Sequence, residues 1–163
     1  MRKNFMPESA FEFAMEDMDS ASGEACHLLL PGVKSGTPKY VFFPGCQLSG
    51  CRPEQVSAVY DFLSGHLEGG TGIYLSCCGI PARWAGENAR FAAHVDKMKA
   101  ELRELGNPVV VTACSTCLNV FRDFFPEYTS TSLWEVLDGM QLPSGGGKEH
   151  AADLPDSLVC QDP

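Results

Sequence analysis

Three stretches of this chain share one layout: a short run of β-branched and aromatic residues followed at once by cysteine. They are "YVFFPGC", ending at Cys46, "GIYLSCC", ending at Cys77 and Cys78, and "PVVVTACSTC", which holds Cys114 and Cys117. Such runs read as strands, at about 40–43 and 72–75 and at "PVVVT". Helical patterns alternate with them. Val56, Val59, Tyr60, Leu63 and Leu67 fall on one helix face behind Pro53, a residue suited to a first helical position. Phe91, Val95, Met98, Leu102 and Leu105 mark a second helix over about 87–105, stopped by Gly106. Leu118, Phe121 and Phe125 mark a third, closed by Pro126, and "SLWEVLDG" carries a capping box of Ser132 with Glu135. The alternation predicts an α/β domain: a mainly parallel sheet with flanking helices.

Parallel strands all point the same way, so their carboxyl ends share one edge, where ligands of such folds bind. Cys46, Cys77, Cys78 and Cys114 each stand just past a strand, and Cys117 one helical turn beyond. The cysteines are therefore expected to gather in one crevice at the carboxyl ends of the strands. Cys114 and Cys117 straddle a helix start, where free N–H groups favour thiolate over thiol. Gly45 and Gly79 remove side chains beside Cys46 and Cys78, so that backbone N–H groups can approach sulfur.

The chain has eight cysteines and opens on "MRKNFMPESAFEFAMEDMDS", which lacks the apolar core of a secretory signal. That combination predicts a reducing compartment, the cytoplasm, with metal or redox chemistry rather than disulfides. A formal charge of −9, with no clustered Lys and Arg, argues against nucleic acid. No apolar run reaches the roughly 18 residues of a membrane span.

Five thiols exceed the four ligands of a structural zinc or of a [4Fe–4S] cube. The count weakens zinc and leaves it as the alternative. "CSTC" by itself also suits a thiol–disulfide enzyme using Cys114 and Cys117 alone.

Thirty residues separate Cys46 from Cys77, and thirty-five separate Cys78 from the Cys114-x-x-Cys117 pair, with Gly79 completing "CCG". This pattern, over roughly residues 40–125, resembles the cysteine-rich CCG domain of the heterodisulfide reductases. Related copies occur in the iron–sulfur subunits of glycolate oxidase, anaerobic glycerol-3-phosphate dehydrogenase and lactate-utilisation complexes. The resemblance implies a [4Fe–4S] cluster of non-cubane type held by Cys46, Cys77, Cys78, Cys114 and Cys117. It implies an oxidoreductase component that relays electrons or reduces a disulfide, working with a flavoprotein or ferredoxin-like partner. No Gly-rich fingerprint opens a βαβ unit, so a flavin or nicotinamide is expected from another domain or chain. Relatives usually carry two copies of the motif, and the ending "SLVCQDP" is expected to be the mouth of a second.

Residues 1–38 read as a flexible acidic leader, 39–140 as the cysteine-rich domain, and 141–163 as a linker with the start of a following strand or second repeat. In the leader "ESAFEFAMEDM" reads as a short helix, and Met6, Met15 and Met18 with Phe5, Phe11 and Phe13 resemble a docking segment, although disorder is the plainer expectation. Cys26 and Cys160 read as incidental or structural, and Cys51 as a small buried residue near a helix start. His66 and His94 are expected on helix surfaces, with His27 and His150 in the leader and the linker. Arg83 or Trp84 lines the crevice in one reading; in the other, the Trp plugs the end of the domain.

Overall fold

The structure, a computed structural model, describes Glu16, Met18, residues 27–29 and residues 36–140. The elements run β1 (His27–Leu29), β2 (Tyr40–Phe43), α1 (Cys46–Cys51), α2 (Pro53–His66), β3 (Thr71–Leu75), α3 (Ile80–Trp84), α4 (Asn88–Glu104), β4 (Val109–Thr112), α5 (Ser115–Phe124), β5 (Ser130–Ser132) and α6 (Leu133–Asp138). The strands form one sheet in the order β1-β3-β2-β4-β5. β2 pairs parallel with both β3 and β4, and β4 pairs parallel with β5, while β1 runs antiparallel along the outside of β3. The predicted α/β class and mainly parallel sheet are observed. The sequence reading contains neither β1 nor β5, the two short edge strands.

Alternation along the strands sorts the core into two layers. Val41 and Phe43 of β2, Tyr74 of β3 and Val110 of β4 pack with Phe91, Val95, Met98 and Leu102 of α4 and Val120 and Phe121 of α5. Phe42, Ile73 and Val111 point the other way and pack with Val56, Tyr60 and Leu63 of α2 and Leu133 of α6. Helices thus cover both faces, and strands buried on both sides are apolar at nearly every position. Edge-to-face rings of Phe43 with Tyr74 and of Phe43 with Phe121, at centroid distances of 5.6 and 5.2 Å, fill the first layer.

The order β3-β2-β4 creates a topological switch. From β2 the chain turns into α2 on one face, whereas from the adjacent β4 it turns into α5 on the other. A crevice opens where neighbouring strands send their helices apart. The expected capping box is present, with Ser132 accepting from the Trp134 N–H and Glu135 from the Ser132 N–H.

Met18, within the expected leader, is buried in the first layer, in the same apolar group as Cys77 and Cys78. Cys26, Cys160, Met6, Met15, the leader phenylalanines and residues 141–163 lie outside the described residues, as does most of the expected leader helix.

Candidate metal centre

Each of the five cysteines is set by a strand end and the helix that follows it. Cys46 opens α1 behind Pro44 and Gly45. Gly45 has φ +83°, a conformation that glycine adopts without strain, and its carbonyl accepts from the Ser49 hydroxyl at 2.9 Å. Cys77 and Cys78 follow β3 and precede Gly79, whose φ of +82° turns the chain into α3. Cys114 is the N-cap of α5 and Cys117 lies in its first turn. Cys77, Cys78 and Cys117 are buried, while Cys46 and Cys114 are half-buried.

The structure brings all five together as a continuous run of thiols. Cys46 Sγ lies 3.6 Å from Cys77 Sγ. Cys77 and Cys78 interact in turn, and Cys117 reaches both Cys78 and Cys114. A Cβ on Gly45 would stand 3.3 Å from Cys117 Sγ and 3.5 Å from Cys114 Cβ, so the β2 turn passes close against the α5 pair. The Gly79 N–H points at Cys77 Sγ at 3.5 Å.

Hydrogen bonding divides the run into donors and acceptors. Cys78 accepts from Cys117 and Cys77, which holds its thiol down to about 4. Cys114 accepts from Cys117 and is lowered to about 5, with the backbone N–H groups of Cys117 and Thr116 adding to the effect. Cys117, set beside Cys114 and Cys78 and buried besides, is pushed far up. Cys46 is pushed up by donating to Cys77 and by burial. Cys77 accepts from Cys46, but donation to Cys78 and burial outweigh this and raise it to about 11. Stabilised thiolates at Cys78 and Cys114 are the chemistry of a soft-metal site.

The chemistry of the donor set fits a metal–sulfur group: five neighbouring thiols, two glycines that leave room beside them and a backbone N–H on one sulfur. Among the described residues no group of three or more His, Cys, Asp or Glu side chains is placed to hold one metal ion.

Three other readings change. Cys51 is exposed rather than buried, because α1 is a surface helix with no buried residue. Trp84 is 55% exposed, too open to plug the end of the domain. Arg83 lies over the rings of Phe91 and Phe124, 5.7 and 4.8 Å from their centroids. His66 is on the surface as expected, its ring stacked on Phe62.

His94 lies against the site, whereas the sequence reading placed it on a helix surface. It is buried, and its Nε2 lies 2.8 Å from the carbonyl oxygen of Cys77. The signal was present in the register: His94 stands three residues after Phe91 and four before Met98, on the apolar face of α4.

On the opposite layer Ser49, Pro53, Val56, Ser57, Tyr60, Asp61, Ile73 and Leu75 line a groove of about 390 Å³ that includes none of the cysteines.

The family model of the cysteine-rich domain CCG matches residues 40–122. Comparison with curated proteins and with solved structures returned no match.

Proposed function

Because the chain belongs to the family of CCG cysteine-rich domains, we propose that Cys46, Cys77, Cys78, Cys114 and Cys117 hold an iron–sulfur centre, a [4Fe–4S] cluster of non-cubane type. The observation that carries the reading is the continuous run of five thiols at the switch point of the sheet. A single zinc ion draws four ligands to one point, whereas a cluster spreads its thiolates over separate irons. Five thiols exceed the four ligands that one zinc ion takes.

A cluster there would supply one-electron chemistry, for relaying electrons or for reducing a disulfide. The chain's own part is to present and tune thiolates. The surroundings of Cys78 and Cys114 favour the thiolate and those of Cys46, Cys77 and Cys117 favour the thiol, and binding metal would release the remaining thiol protons. The Gly79 N–H on Cys77 tunes the sulfur's electron density. Burial of three of the five limits water at the site.

The proposed role is an oxidoreductase component served by a flavoprotein or ferredoxin-like partner, in a reducing compartment such as the cytoplasm. No helix among the described residues is long and apolar enough to cross a membrane.

The test is iron, zinc and acid-labile sulfide analysis of protein purified without oxygen, with electron paramagnetic resonance of the same sample. About four irons and four sulfides per chain support the reading. One zinc without sulfide replaces it with a structural module that has no redox role.

A further inference from the structure

α4 packs across the back of the Cys77–Cys78–Gly79 turn, and His94 is the residue it places there. The side chain is 9% exposed, in a layer otherwise built from Phe91, Val95, Met98 and Leu102. Its Nε2 meets the Cys77 carbonyl at 2.8 Å. A carbonyl oxygen only accepts, so Nε2 carries the hydrogen of this bond. The ring also packs tightly against Gly79: a Cβ there would come within 2.5 Å of the His94 Cδ2.

The carbonyl that His94 holds belongs to the peptide bond joining two adjacent thiol-bearing residues. That bond is planar, so fixing its oxygen fixes the plane from which both side chains depart. A leucine would satisfy the packing of α4 without the cost of burying an imidazole. The histidine's polarity is directed instead at the one backbone group that governs both cysteines.

We propose that His94 is a positioning residue for the Cys77–Cys78 pair, locking the peptide between them so that both sulfurs face the crevice. The proposal rests on the reading of the five thiols as a metal–sulfur site. Groups that orient metal ligands are typically worth about 10–100-fold in metal affinity.

The test is anaerobic titration of metal-free protein with cadmium ion alone, followed by thiolate-to-cadmium absorption. Wild type is compared with H94L, which keeps bulk without a donor, with H94Q, which carries an N–H at similar reach, and with the exposed control H66L. H94L should weaken cadmium binding about 10–100-fold. H94Q should restore wild-type affinity, and H66L should leave it unchanged. A purely packing role predicts the reverse order, with H94L at least as good as H94Q. Unaltered affinity in H94L overturns the proposal. Should H94L fail to fold by circular dichroism, H94N, polar but too short to reach the carbonyl, takes its place in the comparison. Wild type that binds cadmium but takes up no iron and sulfide defeats the iron–sulfur reading alone. Wild type that does not bind cadmium defeats both.

Discussion

Cys46 and Cys77 bring their sulfurs to 3.6 Å although 31 positions separate them in the chain. The register of the sheet explains the meeting. Phe42 pairs with Ile73 in parallel strands, and each cysteine follows its strand partner by four residues, 42 to 46 and 73 to 77. On the other side of β2, Phe43 pairs with Thr112, two residues before Cys114. Parallel pairing alone carries distant cysteines to one edge, and the switch in helix direction opens space for them.

Mild oxidation of the metal-free protein should therefore join cysteines within the set of five, with Cys46–Cys77 among the bridges. Cys51, exposed on the surface helix, should stay a free thiol. Peptide mapping by mass spectrometry checks this, and an intramolecular bridge to Cys51 would contradict it.

The two glycines of the site and a helical glycine should respond differently to alanine. Gly79→Ala combines a left-handed backbone with a 2.5 Å approach to His94 and should cost about 2–5 kcal/mol. Gly45→Ala meets a looser contact at Cys117 Sγ but puts a side chain at φ 83°, ψ 158°, a backbone region essentially restricted to glycine, so it should cost stability through strain rather than collision while disturbing the thiols. Gly65, inside α2 with nothing within 4 Å, should gain up to about 1 kcal/mol as alanine. Urea denaturation of the three variants gives the order.

Met18 belongs to the same buried apolar group as Cys77, Cys78 and the α4 side chains, so it contributes to the core. Met18→Ala should lower stability by about 2–5 kcal/mol, the range for truncating a buried methionine. A change within about 0.5 kcal/mol, typical of a surface substitution, would contradict the docking.

Arg83 spends its charge on two aromatic rings. Arg83→Gln should lower stability by about 1–2 kcal/mol, from two cation–π contacts at about 0.5–1 kcal/mol each. Iron content should not change. Loss of iron without loss of stability would show that its charge serves the crevice instead.

Much of this was legible in the sequence because local patterns and tertiary packing agree. The faces of α2 and α4 read from Val56, Tyr60 and Leu63 and from Phe91, Val95, Met98 and Leu102 are the buried ones. Strand composition followed by cysteine places the thiols on one edge whatever the strand order. The edge strands escaped because three-residue segments carry too little periodicity, and "STS" in β5 has no apolar residue to mark a face. His94 escaped because residue type outweighed register: a histidine read as surface occupies an apolar face and meets a carbonyl 17 residues back. Cys51 was read as buried from its residue type, but burial depends on which side of the helix faces the core: Cys46 and Leu48 pack against it in part, while Cys51 is exposed.

The most direct test of the central claim is iron content per chain in six variants, each carrying one serine: at Cys46, Cys77, Cys78, Cys114, Cys117 or Cys51. All are purified without oxygen and checked for folding. The five-thiol centre predicts that each of the first five loses iron and its paramagnetic signal or alters both, and that C51S matches wild type. Iron retained unchanged in any of the five, or lost in C51S, would contradict it.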